Sequence, residues 1–261
     1  MYNVLEILRI AAMQELFDFT PIELISDNYE GITINSETIP DNNDDFEKEL
    51  LNIINTLEDK KLLWIKLQIS QSSLIPMLTK HGFVFHHCNE DDITLLKKLI
   101  PNPIIPTASN HTLGVGVVVI NEENQLLIIK DRLGKRYKLP GGYIDDDENI
   151  STAVVREVKE ETGIDVAFSS IIALGHFMPL QFGESNLYLG CTAKAYSSEI
   201  NIIDDYEIIE ARWIDLEDFL NHEEVLQFNK SIVTTAIQND GLRFEHLDMF
   251  KGRDIKYELF F

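Results

Sequence analysis

The sequence predicts an α/β protein with two domains, and three observations support this. The chain has 261 residues, whereas a single domain commonly spans roughly 100–200 residues. Segments with strand-like and helix-like hydrophobic spacing alternate in both halves. Between the halves, Leu99–Asn110 contains three prolines, which lack a backbone donor and disfavour helix before them. This stretch therefore indicates an extended linker.

The first half alternates strand and helix signals. Two short apolar runs around Asp27–Glu30 predict a β-hairpin, and Phe46–Leu57 has helical spacing. We expect these elements in order: hairpin strands Ile22–Ser26 and Gly31–Asn35, helix Phe46–Leu57, strand Leu62–Ile69, helix Ser72–Lys80, strand Phe83–His87 and strand Asp92–Leu99. The domain then covers residues 1–100, with an extra amphipathic helix at residues 1–20, and the linker covers 101–110.

The second half begins with a Val-rich run and a turn, which predict a β-hairpin of Thr112–Asn121 with Gln125–Lys130. Asn149 is a candidate helix N-cap and Gly163 a candidate stop. We expect these further elements: helix Asn149–Thr162, strands Val166–Phe177 and Asn186–Tyr196, acidic loop Ser197–Glu210, strand Ala211–Asp215, and helix Leu216–Ile237 broken near Asn221. This domain covers residues 111–240, and the tail 241–261 ends in a strand-like segment, Ile255–Phe261.

Composition and charge exclude several function classes. Hydrophobic residues make up 44% and charged residues 25%, which is ordinary globular usage and excludes a mainly disordered chain. Cys88 and Cys191 lie far apart, so we expect two free thiols in a reducing compartment. The formal charge of −22 argues against binding nucleic acid through its phosphates. It leaves open a small phosphorylated substrate whose charge a divalent cation offsets.

The N-terminal segment and the hydropathy pattern predict a soluble cytoplasmic protein with no membrane partner. Met1–Phe17 is interrupted by Glu6, Arg9 and Glu15, unlike the apolar core of a signal peptide. No apolar stretch approaches the roughly 18 residues needed to span a bilayer.

Three carboxylates are spaced to share one face of the predicted helix. Glu157, Glu160 and Glu161 stand at i, i+3 and i+4, so their side chains lie close together. Clustered carboxylates repel one another unless a cation is present. Oxygen ligands favour magnesium or manganese, and the absence of His and Cys from the segment argues against zinc.

The residues before these carboxylates complete a chemical pattern. Gly141-Gly142 predicts a tight turn, in which a backbone carbonyl can approach a metal. Glu148 and Arg156 can pair and hold the loop against the helix. From Gly142 to Ile164, all fixed positions resemble the Nudix box, GX5EX7REUXEEXGU with U aliphatic.

The Nudix resemblance implies a fold, a reaction and site residues. The fold is an α/β/α sandwich around a mixed sheet, and the reaction is hydrolysis of a pyrophosphate linking a nucleoside to another group. Glu157 and Glu161 are implied as metal ligands beside Gly141, with Glu160 sharing that role or serving as a base. Arg156 belongs to the implied catalytic set. A further acid is expected before a late tryptophan, Trp213; both Glu207 and Glu210 qualify, and Glu207 is the first choice.

The N-terminal half also resembles a family. The segments Leu63–Leu67, Leu74–Pro76 and His81–His87 are similar to the pre-Nudix domain of Nudix hydrolases, including cytosolic plant members. This domain resembles an acetyltransferase fold, yet no Gly-rich pyrophosphate loop is present in the sequence, so we expect a scaffold or dimerisation role. The plant resemblance implies ADP-ribose or NADH as substrate, AMP as product, and a homodimer.

Residues outside the box bear on the substrate. Pro179 lies 15 positions after Ile164, a feature of Nudix enzymes that resemble ADP-ribose pyrophosphatases, although a proline that ends a strand also has a structural reason. We expect Phe182, Lys138 and Glu148 near the substrate. Two alternatives remain open: hydrolysis of normal or oxidised nucleoside triphosphates, and a nucleotide-sensing regulator with a vestigial box.

Overall fold

A computed structural model of the protein describes residues 21–134, 136–179, 183–247 and 256–261. The chain divides into two units, Met1–Ser109 and Asn110–Phe261. The extra helix expected at residues 1–20 lies outside the described residues. Within the described ranges, no helix is long and apolar enough to cross a membrane.

In the part of the N-terminal unit that the structure describes, five strands form one sheet with helices on one face. Its elements are β1 (Leu24–Ser26), β2 (Gly31–Ile34), α1 (Asn43–Thr56), β3 (Leu62–Gln68), α2 (Ile75–Lys80), β4 (Val84–Cys88) and β5 (Asp92–Lys98), with 3-10 turns at Ser36–Thr38 and Ile69–Leu74. The strand order is β1-β2-β3-β5-β4. The strands β2 and β3 run parallel and the other neighbours antiparallel, which confirms the predicted hairpin of β1 and β2.

Helix α1 forms where the periodicity predicts it. The side chain of Asn42 accepts hydrogen bonds from the amides of Asp44 and Asp45, which supplies acceptors at the helix start. Phe46, Leu50 and Ile53 are buried in one apolar cluster. The helix predicted at Ser72–Lys80 is α-helical from Ile75 onward, because the preceding residues form a tighter 3-10 turn.

Among its described residues, the C-terminal unit contains two three-stranded sheets and three helices. Its elements are β6 (His111–Val119), β7 (Gln125–Asp131), β8 (Tyr137–Lys138), α3 (Ile150–Thr162), β9 (Val166–Phe177), β10 (Ser185–Ala195), β11 (Ile208–Asp215), α4 (Leu216–Asn221) and α5 (Gln227–Gln238). One sheet has the order β6-β10-β9 and the other β11-β7-β8. The first sheet is mixed, since β6 and β10 run parallel while β10 and β9 run antiparallel.

The alternating strand residues place helices on both faces of these sheets. Val117 and Leu127 pack in a cluster with α3. Val118 and Ile128 point the other way and pack in a cluster with α4 and α5. The arrangement confirms the expected α/β/α sandwich with a mixed sheet, and the helix break near Asn221 is also present.

The hairpin predicted from Thr112–Asn121 and Gln125–Lys130 is wrong beyond its turn. One bridge joins Ile120 to Leu126, and then β6 and β7 enter different sheets. The edge of β6 away from β10 is occupied by the glycine loop: the amide of Val115 donates to the carbonyl of Gly142 (2.9 Å), and that of Val117 to Pro140 (2.8 Å). These long-range bonds take the place of pairing with β7.

Two further boundaries differ from the prediction. Strand β11 begins at Ile208, so Glu210 lies in a strand and the preceding loop ends at Glu207. The segment expected as a strand at Ile255–Phe261 forms a single bridge, Phe244 with Phe260, within its described residues. A strand needs a continuous ladder, and the tail pairs over too short a length to make one.

Candidate active site

Helix α3 presents one apolar face and one acidic face. Ala153, Val154 and Val158 are fully buried against the sheet, whereas Val155 is 37% exposed. Successive residues of a helix are rotated by about 100° around its axis, so Val155 points away from the side on which Val154 and Val158 are buried. The helix ends at Gly163, whose φ of 76° is left-handed.

The three carboxylates of α3 differ in burial. The side chain of Glu157 is 12% exposed and that of Glu160 is 47% exposed, while Glu161 is buried. Burial raises the pKa of Glu161 to about 8, and the charges of Glu157 and Glu207 add to the increase. Burial also raises the pKa of Glu157, with contributions from Glu160 and Glu207. Ionising these two carboxyls is therefore costly unless a cation is present.

The glycine loop lies directly against these carboxylates. The amide of Gly141 donates a hydrogen bond of 2.7 Å to Oε2 of Glu161. A Cβ at Gly141, whose φ is 143°, would lie 2.1 Å from the carbonyl oxygen of Val115. A Cβ at Gly142 would lie 2.7 Å from Oε1 of Glu157. Gly141 therefore needs glycine, because its φ is left-handed and the close neighbours are backbone atoms. At Gly142 the close neighbour is the side chain of Glu157, so a larger residue there would displace that carboxylate.

Arg156 holds the acidic face in place. Its Nε and Nη2 donate to the two oxygens of Glu148 at 2.9 and 2.8 Å, so the predicted pair is confirmed. Its Nη1 donates to Glu157 at 2.9 Å and to Glu160 at 3.1 Å. The hydrogen bond from Arg156 lowers the pKa of Glu148. Arg156 thus donates its hydrogen bonds to protein acceptors and orients two carboxylates of the site.

The loop before β11 is fastened to α3 and to Arg132. The amides of Ile203 and Asp204 donate to the carbonyl of Glu160 at 3.0 and 2.9 Å. The side chain of Arg132 donates to the carbonyls of Asp205 and Tyr206, each at 2.9 Å, and its amide donates to the carbonyl of Glu207 at 2.8 Å. The sequence does not predict this anchoring by Arg132, since carbonyl partners leave no sequence signal.

The two candidate loop acids have different surroundings. Glu210 accepts a hydrogen bond of 3.0 Å from the hydroxyl of Tyr137 and pairs with Arg212 at 3.4 Å. Glu207 lies close enough to Glu157 and Glu161 for its charge to raise the pKa of both carboxyls. The structure therefore brings Glu207 together with the box carboxylates and engages Glu210 elsewhere.

The residues present fit a hard divalent cation. Carboxylate oxygens of Glu157 and Glu161 and the Gly141 backbone are the donor types that magnesium and manganese prefer. The pKa values of both carboxyls are raised, so their ionised forms are disfavoured in the protein. A bound divalent cation would offset the cost of ionising them. In the described ranges, no three His, Cys, Asp or Glu side chains are already arranged around one point, and Arg156 contacts both Glu157 and Glu160.

A cavity of about 270 Å³ adjoins the glycine loop. Its lining includes Gly141 and Lys138 from the segment before helix α3, together with Tyr188, Phe228 and Asn229. The ring centroids of Tyr188 and Phe228 are 5.2 Å apart. Sequence reasoning missed Phe228 and Asn229, which lie on α5 far from the box.

The residues expected to contact the substrate can be located relative to this cavity. Lys138 pairs with Asp131 at 3.0 Å. Arg136 lines the same cavity. Glu148 is held by Arg156 and is not among the residues that line this cavity. Phe182, the expected aromatic contact, lies outside the described residues.

Comparisons with known proteins agree along both units. A profile described as the NUDIX domain matches residues 110–235, and one described as the Nudix hydrolase domain matches residues 22–99. Nudix hydrolase 8 of Arabidopsis thaliana is 34% identical over 209 residues, which cover 76% of this chain and 56% of that protein. Nudix hydrolase 2 of Arabidopsis thaliana is 34% identical over 197 residues, covering 71% and 70%.

A human relative, nucleoside diphosphate-linked moiety X motif 6, is 32% identical over 198 residues, covering 74% of this chain and 62% of the relative. The chain thus spans less than two thirds of the length of two of these three relatives.

Proposed function

This chain belongs to the Nudix hydrolase family, and from that membership and the site geometry we propose that it hydrolyses the pyrophosphate bond of ADP-ribose or NADH and releases AMP. The observation that carries this proposal is the contact of the glycine loop with the partly buried carboxylate of Glu157 and the buried carboxylate of Glu161. A vestigial sensor has no need for buried acids whose pKa values are raised, because they destabilise the empty fold.

Magnesium or manganese is the proposed cofactor. Glu157, Glu161 and the Gly141 carbonyl are the proposed ligands, and the more exposed Glu160 shares this role. When bound, the ion neutralises the pyrophosphate and activates the attacking water. Arg156 supports this set by orienting Glu157 and Glu160, while Glu148 fixes the guanidinium.

Glu207 is the proposed general base. It accepts a proton from the attacking water as the new phosphorus–oxygen bond forms and the bridging phosphorus–oxygen bond breaks. Its backbone is fixed by Arg132 and by Asp204, whose Oδ1 accepts from the amide of Glu207 at 3.0 Å. Glu210 is the weaker candidate because Tyr137 and Arg212 already engage its carboxylate.

The cavity beside Gly141 supports a diphosphate substrate. Tyr188 and Phe228 offer aromatic surface for a base, and Arg136 offers a cation beside the phosphates. Other nearby cations are already paired, Lys130 with Glu224 and Lys138 with Asp131. This limited positive charge favours ADP-ribose or NADH over a free triphosphate tail.

The remaining proposals concern the setting of the enzyme. We propose a cytoplasmic homodimer that acts on a small nucleotide and binds neither nucleic acid nor membrane. Residues 111–240 carry the chemistry, the linker covers 101–110, and residues 1–100 serve as a scaffold or dimerisation domain. The net charge of −22 supports the absence of a nucleic-acid partner.

A substrate panel tests the proposed function. Full-length protein with magnesium is incubated with ADP-ribose, NADH, and normal and oxidised deoxynucleoside triphosphates, and products are identified by chromatography. We expect the highest kcat/KM for ADP-ribose or NADH, with AMP as one product. A clear preference for a triphosphate, with pyrophosphate released, would overturn the substrate proposal. If the protein hydrolyses none of these compounds, the proposal that it is an enzyme acting on them is overturned.

A further inference from the structure

The first turn of the catalytic helix is capped from the C-terminal tail. The amide of Ile150 donates to Oε2 of Glu258 at 2.5 Å, and the amide of Ser151 donates to Oε1 at 3.2 Å. The hydroxyl of Ser151 donates to the same Oε1 at 2.6 Å. Asn149, which occupies the N-cap position, makes no capping hydrogen bond with its side chain. A carboxylate 108 residues away in sequence therefore replaces the local cap.

The tail that carries Glu258 is itself fixed to the C-terminal unit. Phe261 and Arg243 exchange backbone hydrogen bonds of 2.8 and 3.0 Å. The ring of Phe260 lies 5.5 Å from that of Phe168 and 6.0 Å from that of Phe244. The residues that follow Glu258 are thus anchored, and its carboxylate reaches the helix start from this fixed segment.

The carboxylate of Glu258 stabilises the first turn of helix α3. The first N–H groups of a helix lack intrahelical acceptors, and an anion at the N-terminus is favoured by the helix dipole. Helix α3 follows directly after the glycine loop and carries Glu157 and Glu161. A fixed first turn therefore fixes the position at which the loop ends. It also fixes the direction in which the side chains of Glu157 and Glu161 point from the helix.

We propose that Glu258 is a positioning residue for the catalytic helix, supplied by the tail. The NUDIX profile matches residues 110–235, so this cap comes from outside the matched region. The proposal rests on the proposed function only where activity is measured, because the cap itself is a property of the fold.

The test compares full-length Glu258→Ala, Glu258→Gln, Ser151→Ala and the double variant Ser151→Ala/Glu258→Ala. Glu245→Ala is the matched control: it removes a carboxylate near the same bridge, and among the described residues its side chain has no hydrogen bond to α3. Three quantities are measured: hydrogen exchange of the amides at 150–153, Mn2+ affinity by electron paramagnetic resonance without nucleotide, and kcat and KM for ADP-ribose.

A lost cap changes a local opening equilibrium by about tenfold. We therefore expect Glu258→Ala to raise exchange of the first-turn amides about tenfold, and to lower Mn2+ affinity and kcat several-fold with KM little changed. Glu258→Gln keeps one oxygen acceptor and should rescue part of each effect. The double variant should be no worse than Glu258→Ala, since Ser151 acts through the same carboxylate.

Unchanged first-turn exchange in Glu258→Ala would overturn the cap. Faster exchange with wild-type Mn2+ affinity and kcat would overturn the positioning role and leave a merely structural contact. Additive effects of Ser151 and Glu258 would also contradict the shared contact. If wild-type protein fails to cleave ADP-ribose, the proposed function fails, whereas exchange and Mn2+ binding still decide this proposal.

Discussion

The carboxylate of Glu161 lies against the backbone of Gly141, whose amide donates a 2.7 Å hydrogen bond to Oε2. This contact joins the last turn of helix α3 to the loop that also occupies the edge of β6. The position of a buried acid is thereby coupled to the path of the backbone beside it. Changes at either residue should therefore disturb the same site.

Gly141→Ala should abolish most activity. A Cβ there would lie 2.1 Å from the carbonyl of Val115, and the φ of 143° is strained for alanine. We expect kcat/KM to fall at least about 100-fold, since misplacement by about 1 Å has costs of that size. Gly183→Ala is the control, because its φ is also positive while nothing lies within 4 Å of its Cβ. Equal losses in both variants would point to backbone strain rather than to the close approach.

Glu207→Gln and Glu210→Gln should separate the two candidate bases. Loss of a general base costs about 10²–10⁴-fold in rate, so we expect that range for kcat of Glu207→Gln. Glu210→Gln should keep kcat within about threefold, because its amide can still accept from the Tyr137 hydroxyl. Steady-state kinetics across pH provide the measurement. The reverse ranking would assign the base to Glu210.

Arg132→Ala should reduce kcat about tenfold through the loop that carries Glu207. The variant removes the two side-chain bonds to the carbonyls of Asp205 and Tyr206, so the base loses its fixed position. Arg132→Lys should not restore activity, since an ammonium lacks the planar fork. Lys48→Ala, at a 77% exposed side chain, controls for charge removal. Wild-type kcat and an unchanged pH profile in Arg132→Ala would contradict this positioning role.

Magnesium should stabilise the protein more at alkaline than at acidic pH. The pKa of Glu161 is raised from 4.5 to about 8 by burial, so its protonated form favours the fold. Its contribution is complete below the unfolded value and is lost as pH rises through the folded value. A cation that binds the ionised carboxylate reverses this loss.

The measurement is the change in Tm on adding magnesium at about pH 6 and about pH 8.5. We expect the larger increase at the higher pH, and a weaker pH dependence in Glu161→Gln. Equal shifts at both pH values in the wild type would contradict the assignment of Glu161 as a ligand that must lose a proton.

Local signals predicted part of the fold well. Helix α3 was expected at Asn149–Thr162 and occupies Ile150–Thr162, because Asn149 and Gly163 mark its ends within the sequence. Strand β9 has the predicted bounds, Val166–Phe177. The pairing of β6 could not be predicted, since its partners include carbonyls of the glycine loop that any residue could supply.

The candidate site was predictable where it lies within one segment. The Glu148–Arg156 pair and the shared face of Glu157 and Glu161 follow from spacing along the box. The anchoring by Arg132 and the cap by Glu258 depend on contacts across 73 to 108 residues. Neither uses a residue type that singles out its role, so only the folded arrangement reveals them.

The central claim is that the box carboxylates perform metal-dependent hydrolysis. Its most direct test is the magnesium-dependent release of AMP from ADP-ribose by wild type and Glu161→Gln under identical conditions. Glutamine keeps the size of the side chain and removes an anionic ligand, so we expect kcat/KM to fall roughly 1,000-fold or more with the fold retained. Near-normal turnover by Glu161→Gln would contradict the account.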